Sequence, residues 1–264
     1  MLPLSQRDVF HSVAFWLGAL YVSFPMGVLL YGWNDIVDYE ADRLNPRKGT
    51  FLFGARGTRE QLRGLPRRIA LVQAPFVVAF SVFAGAKMLL CVAGMMAAAA
   101  LYNWPRYGFK TRPPLEILNQ AGYLFVFLLS SWMNGVPLLP WAAMLFGALF
   151  AMHSHVFGEV MDLEPDRAAG RRTTATVIGR VRAKLLMTVL LLCEAGLVVR
   201  FFGATELAGF LLVSAAWFAL DATAIWRSRP YSNGQMRFFM LAWNVIALMS
   251  MPWMWSQASL VQMR

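Results

Sequence analysis

The sequence predicts an all-α membrane protein, a polytopic transmembrane helical bundle of about eight helices. Three observations support this fold class. Only 14% of the 264 residues are charged and 58% are hydrophobic, whereas an ordinary soluble domain carries about 25% charged residues. The apolar residues form long runs separated by short basic segments. The few acidic residues are concentrated in two short windows at the ends of such runs.

Eight apolar runs are long enough, or nearly so, for the roughly 20-residue helix that crosses a bilayer. They cover 9–33, 69–86, 87–103, 116–135, 139–160, 183–202, 205–226 and 237–256. Because little chain remains for a soluble domain, we expect residues 1–264 to form a single transmembrane domain surrounded by membrane lipid.

The basic residues predict how the chain is oriented. Threading eight helices through a membrane places twenty Lys and Arg residues on one side and four on the other. The twenty comprise eight within 43–68, three within 106–112, six within 167–184 and three within 227–237, and the four are Arg7, Lys87, Arg200 and Arg264. By the positive-inside rule, the basic loops face the cytoplasm and both termini face outward. This distribution also argues against nucleic acid as the partner of a chain with a net charge of +10.

The two acidic windows share one spacing. Eight of the 14 Asp and Glu residues lie in residues 34–42, Asn-Asp-Ile-Val-Asp-Tyr-Glu-Ala-Asp, and 158–166, Gly-Glu-Val-Met-Asp-Leu-Glu-Pro-Asp. Acids occupy relative positions 1, 4, 6 and 8 in both windows, and an arginine follows each. On a helix, positions 1, 4 and 8 fall within an arc of about 60°.

The spacing therefore predicts two carboxylate faces, one formed by Asp35, Asp38 and Asp42 and the other by Glu159, Asp162 and Asp166. Glu40 and Glu164 point away and are expected to be solvated or paired with arginines. Each window ends the first helix of a set of four, within 9–135 and 139–256. We expect an internal duplication in which two four-helix halves surround a central cavity.

Three carboxylates on one helical face repel one another, and charges at membrane depth usually mark function. Divalent cations relieve this repulsion, and Mg²⁺ commonly bridges a few carboxylates to substrate phosphates. Two such faces opposite each other predict a cradle for a diphosphate held through magnesium ions. The simpler alternative is a pair of helix ends that form salt bridges with nearby arginines.

The neighbouring polar and basic residues suit a diphosphate, because guanidinium groups bind phosphate oxygens bidentately and lysine acts as a point charge. The candidate substrate-binding residues are Asn34, Arg43, Arg47, Lys48, Lys110, Arg112, Arg167 and Arg171. His155 is four residues before Glu159 and could face the cavity, but a histidine bonded within the bundle is the alternative. Aromatic residues near the motifs are either cavity walls or an interfacial belt; they are Tyr31, Trp33, Tyr102, Trp104, Tyr107 and Tyr123.

At these residues the sequence resembles the UbiA superfamily of intramembrane prenyltransferases. The first window matches that family's N-D-x-x-D-x-x-x-D motif in full, and the second matches its D-x-x-D-x-x-x-D motif with Glu159 in the first position. The resemblance implies a helical bundle with Mg²⁺ and a prenyl diphosphate at the cytoplasmic mouth of a central cavity. It also implies a lipid-soluble acceptor and the inner membrane of a bacterial or archaeal cell.

Two departures from the family pattern are visible. Members usually have nine helices, and an additional helix precedes the one that carries the first motif. In this sequence, the residues before Asn34 are enough for the motif-bearing helix alone. Either the start is truncated or this branch lacks the helix. Many members also follow the first motif with R-P-x-x-x-G. Here residues 45–49 read Asn-Pro-Arg-Lys-Gly, which is similar to the carotenoid-elongating branch, the lycopene elongases.

The expected activity is transfer of a prenyl group from an allylic diphosphate to a lipophilic acceptor, with C5 transfer to a carotenoid such as lycopene favoured. Prenylation of an aromatic or quinone precursor is the close alternative. A terpene cyclase would use the same cradle without a second substrate. A transporter would place its charges near the membrane midplane, and a nonenzymatic scaffold has no reason to keep six acids at matched spacing.

Overall fold

The computed structural model describes residues 11–50, 53–256, 260–261 and 263, and these form an α-helical bundle without a named β-strand. The helices are α1 (Val13–Ser23), α2 (Pro25–Leu44), α3 (Arg59–Arg63), α4 (Leu65–Ala84), α5 (Lys87–Asn103), α6 (Leu115–Leu118), α7 (Phe125–Met133), α8 (Trp141–Ala168), α9 (Thr174–Ile178), α10 (Arg180–Phe201), α11 (Thr205–Thr223) and α12 (Asn233–Ser256). The predicted all-α class is confirmed. Residues 9–10 of the first predicted run, with Arg7 and Arg264, lie outside the described residues.

Two of the predicted runs are broken helices. The first is interrupted at Phe24, after which Pro25 opens α2 in the position where its missing N–H costs nothing. The buried Gln73 side chain accepts from the Tyr21 hydroxyl at 2.9 Å and donates to the Pro25 carbonyl at 2.7 Å. The fourth run divides into α6, a 3₁₀ segment over Asn119–Leu124, and α7.

Four described helical stretches are long and apolar enough to cross a membrane: Val13–Leu44, Leu65–Ala84, Trp141–Ala168 and Glu206–Thr223. Helix α5 is apolar too, but has only 17 residues. Two of the four, Val13–Leu44 and Trp141–Ala168, continue through the acidic windows. Each acidic motif therefore lies at the C-terminal end of a helical stretch long enough to cross a membrane.

Two hydrophobic cores support the two motif-bearing helices. One lies around α1, α4, α5 and α7 and includes the fully buried Tyr21, Phe80 and Met88. The other lies around α8 and α10 and includes Val156, Leu163 and Met187. Helices α2 and α8 also contact each other, so the two acidic windows meet at one place in the bundle.

Candidate active site

A cavity of about 290 Å³ lies between α2, α5, α8 and the 3₁₀ segment that precedes α7. One end is charged and is lined by Asn34, Asp38, Lys110, Glu159, Asp162, Asp166 and Arg171. The other end is apolar and is lined by Met26, Leu29, Leu30, Met95, Ala98, Ala99, Gly122 and Val126. The cavity therefore joins a polar mouth to a hydrocarbon-like interior.

Asp38, from the first motif, is buried and carries two cationic partners. Lys110 donates to its Oδ2 and Arg171 donates to its Oδ1. Lys110 also donates to the Asn34 amide oxygen. Because these cations come from the 3₁₀ turn Phe109–Thr111 and from the segment after α8, three distant parts of the chain converge on one carboxylate.

The other two acids of the first face, Asp35 and Asp42, do not line the cavity. Lys48 bridges them, with its Nζ 3.4 Å from Asp35 Oδ1 and 3.0 Å from Asp42 Oδ2. The predicted face thus exists on α2, but in this structure only Asp38 of its three acids reaches the cavity wall.

Asp162, from the second motif, is engaged by the loop that follows the first. The Asn45 side chain donates to its Oδ1 at 2.7 Å, and the buried Arg47 guanidinium donates to the same atom. Arg56 donates to the Asn45 and Lys48 carbonyls at 2.8 and 3.2 Å, which fixes the loop. Sequence reasoning missed Asn45 and Arg56, although Asn45 stands in the Asn-Pro-Arg-Lys-Gly stretch quoted above.

Glu159 and Asp166 complete the second face. Asp166 lies 3.5 Å from Arg171, which also binds Asp38. Glu159 Oε2 accepts from the Ala175 backbone N–H at 2.8 Å, and its Oε1 lies 3.2 Å from His155 Nε2. One carboxylate oxygen of Glu159 thus accepts a hydrogen bond from the backbone that follows the motif.

Glu116 is a further buried acid that sequence reasoning did not single out. Its Oε1 accepts from both the backbone N–H and the hydroxyl of Thr174 at 2.6 Å. It therefore joins α6 to the 173–175 segment. The next residue in that segment, Ala175, bonds to Glu159 of α8. The available signal was its place at the first position of the predicted apolar run 116–135, four residues after the candidate base Arg112.

Several predicted groups lie away from the cavity. Glu40 is exposed and pairs with Arg43 at 3.3 Å and Arg59 at 2.6 Å, and Glu164 pairs with the buried Arg180. The structure thus places both off-face glutamates against arginines. The side chains of three candidate bases are exposed outside the cavity: Arg43, Arg112 and Arg167.

The structure also shows which of the aromatic and histidine candidates line the cavity. Tyr31, Tyr102, Tyr123 and His155 line the cavity, whereas Trp104 and Tyr107 are exposed and Trp33 is not among the lining residues. The His155 ring stands edge-on to Tyr102 at 5.9 Å. His153 instead lies 2.6 Å from the buried Glu194 of α10, so it is bonded within the bundle.

Burial lowers the pKa of two bases that are bonded to the acids, Lys110 and Arg47. Loss of hydration lowers the pKa of Lys110, even though Asp38 opposes that shift. The same cause lowers the pKa of Arg47 to about 10. The site therefore brings buried basic and acidic side chains into direct contact with one another.

The acids suit magnesium in chemistry, since hard carboxylate and amide oxygens are its preferred ligands. Within the described ranges, no three Asp, Glu, His or Cys side chains converge closely enough to hold an ion unaided. At phosphate sites, Mg²⁺ is usually held by one or two protein carboxylates together with substrate phosphates. The cavity-lining residues that offer it carboxylate or amide oxygens at the charged end include Asn34, Asp38, Glu159, Asp162 and Asp166.

Comparison with known proteins identifies the family. Residues 3–246 match the UbiA prenyltransferase family. The chain belongs to this family. This UbiA chain is therefore a prenyltransferase, and its apolar helices are those of an integral membrane protein. No solved structure matches it.

Named relatives share sequence with this UbiA chain over long stretches. It is 30% identical over 215 residues to a lycopene elongase/hydratase of Corynebacterium glutamicum, covering 80% of this chain and 74% of the relative. It is 34% identical over 164 residues to a lycopene elongase/hydratase of Haloarcula japonica, covering 61% and 53% respectively. A C(50) beta-cyclic carotenoids biosynthesis protein, LbtBC, of a Dietzia species is 29% identical over 212 residues, covering 78% and 45%.

Proposed function

We propose that this protein catalyses magnesium-dependent transfer of a C5 prenyl group from dimethylallyl diphosphate to a carotenoid such as lycopene. The single observation that carries the proposal is the junction, in one small cavity, of paired acidic motifs with an apolar pocket. The names of the relatives, lycopene elongase/hydratase, support the carotenoid as acceptor.

The cavity size supports a short donor. A protein cavity of about 150 Å³ holds a benzene molecule, and this cavity measures about 290 Å³. That volume suits a diphosphate together with a five-carbon chain. A chain of fifteen or twenty carbons would have to extend beyond this volume.

The charged end accounts for binding and activation of the donor. Lys110 and Arg171 line the cavity beside Asp38 and would grip phosphate oxygens, since charge-assisted hydrogen bonds to phosphate are strong. Asn34, Asp38, Asp162 and Asp166 would hold magnesium jointly with the diphosphate. When bound, the ion supplies charge stabilisation to the departing diphosphate.

The apolar end accounts for control of the cation. The allylic C–O bond breaks with its electron pair leaving on the diphosphate, and the π electrons of an acceptor alkene form the new C–C bond. The cation left on the acceptor loses a proton or takes up water. The tyrosine rings at 31, 102 and 123 line the cavity and can steady positive charge, while the aliphatic walls exclude water.

The lining favours a hydrocarbon acceptor. Lys110 and Arg171 are the cationic residues in the described lining, and both already bind Asp38. A carboxylate-bearing aromatic acceptor would need a further cation. A polyene needs none, because its reactive group is an alkene carbon.

The proposed orientation places both motifs at the cytoplasmic face. A reporter inserted within 53–58, or within 167–172, should report a cytoplasmic location, and one fused after residue 264 should report an external location. Residue 264 on the cytoplasmic side would contradict eight crossings with the loops inside.

The deciding experiment is expression in a lycopene-producing host. We expect C45 or C50 carotenoids by mass analysis, and their absence when Asp38→Asn replaces the native chain. Membranes should also convert lycopene with labelled dimethylallyl diphosphate. Unchanged lycopene together with a prenylated phenol, from a panel of aromatic acceptors, would overturn the carotenoid assignment and leave the family activity intact.

A further inference from the structure

The apolar end of the cavity stops at two methionines. Met26, from the first turn of α2, and Met95, from the middle of α5, line the cavity beside Leu29. Leu29 is 1% and Met95 is 4% exposed. Two of the three residues at this end are therefore buried, and the third, Met26, is partly buried.

The two helices give the same depth for the pocket. Met26 is eight residues before Asn34 on α2, and Met95 is eight residues before Asn103 on α5. Asn34 and Asn103 both line the cavity at its polar end. At 1.5 Å per residue, the pocket descends about 12 Å on each helix.

Beneath the methionines lies solid core rather than more cavity. Cys91 and Met88 follow Met95 down the same face of α5, four and seven residues away. Both are buried in one core cluster with Met95, and Met26 packs against that cluster. Neither Cys91 nor Met88 lines the cavity, so Met26 and Met95 form its floor.

The opposite side of the cavity is open. Tyr31 and Tyr123 line it and are 64% and 39% exposed. A long, rigid polyene cannot enter a closed recess about 12 Å deep. The acceptor therefore has to approach from the exposed side, which leaves the closed recess for the hydrocarbon chain of the donor.

We infer that Met26 and Met95 limit the length of the donor chain, with Met95 the main determinant. This inference rests on the proposed function, because it assumes that an allylic diphosphate occupies the charged end. The floor restricts the donor to the C5 class by filling the space that a second isoprene unit would take.

The test compares donors of two lengths. Met95→Ala removes side-chain volume at the floor, so purified protein should gain use of geranyl diphosphate, the C10 homologue. We expect the ratio of C10 to C5 transfer to rise about tenfold or more, the scale of discrimination that small changes in an apolar pocket produce. The ratio is the readout, since a loss of folding would lower both transfers alike.

Met88→Ala is the matched control. It shortens the same residue type on the same helix, at a position that is 0% exposed and in the same core but outside the cavity lining. It should cost stability and leave the C10 to C5 ratio unchanged. An equal rise in both variants would show that general loosening, not the floor, governs donor length.

Met26→Ala supplies a second variant if Met95→Ala fails to fold, because Met26 is only partly buried. It should raise the ratio in the same direction. If the native chain transfers C5 and neither floor variant changes the ratio, the floor inference is wrong while the proposed function stands. If the native chain transfers no prenyl group from dimethylallyl diphosphate, the proposed function itself fails.

Discussion

Arg47 donates to Oδ1 of Asp162, so the loop after the first acidic motif is bonded directly to the second motif. The two residues are 115 positions apart in the chain, and Asn45 from the same loop shares the bond to Asp162. The contact joins the loop after α2 to α8, beside the cavity that Asp162 lines. A substitution in either motif should therefore alter the position of the other motif's side chains.

Removing Arg47 should test that connection. Arg47→Ala should lower turnover at least tenfold, because Asp162 loses its buried partner and the loop loses an anchor. Arg43→Ala is the control, since Arg43 is exposed and pairs with Glu40. In a double-mutant cycle with Asp162→Ala, we expect a coupling energy of about 0.5–3 kcal/mol. Additive losses would show that the bond has no role in activity.

Asp38 should be the most sensitive acid of the first motif. Asp38→Asn keeps the shape and removes the charge that Lys110 and Arg171 both contact, so turnover should fall 100-fold or more, about 2.7 kcal/mol in barrier. Glu40→Gln, two residues along the same helix, should stay within about twofold because an exposed ion pair contributes little. Equal losses at both positions would contradict the helical-face argument.

Turnover should depend on a divalent cation. Excess EDTA should abolish product formation, and added Mg²⁺ should restore it, because the carboxylates repel the diphosphate unless an ion lies between them. The measurement is labelled-donor transfer over a magnesium titration, with calcium in place of magnesium as the comparison. Full turnover in excess EDTA would remove magnesium from the proposal.

A buried ion pair in the second half should matter for stability. Lys184 Nζ lies 2.9 Å from Asp221 Oδ1, and both side chains are fully buried. Lys184→Met should cost about 3–5 kcal/mol by leaving the buried Asp221 carboxylate without its cation, with only the Tyr231 hydroxyl still donating to it. The loss should be seen as a lower midpoint of thermal unfolding in detergent. Lys184→Met with Asp221→Leu should recover part of that loss, since no buried charge is left unpaired while the buried Tyr231 hydroxyl loses its acceptor. Arg182→Met, at an exposed position on the same helix, should leave the midpoint nearly unchanged.

The sequence by itself determined the class of fold, and it predicted two carboxylate faces as the candidate site. Apolar runs predict membrane helices because a bilayer requires about 20 apolar residues for each crossing. The 1, 4, 8 spacing predicts one carboxylate face for each motif, because residues on one helix keep a fixed angular relationship. Glu40 and Glu164 lie against arginines, and both motif helices reach the cavity.

Only the tertiary structure decided which groups meet. Lys48 binds Asp35 and Asp42 within its own half, whereas Arg47, its neighbour in sequence, crosses to Asp162. Glu116 supports the backbone beside Glu159 from a separate element. Periodicity fixes angles within one helix, but the rotation and offset between helices follow from side-chain packing of distant segments. For that reason the floor at Met26 and Met95 had no signal in the sequence.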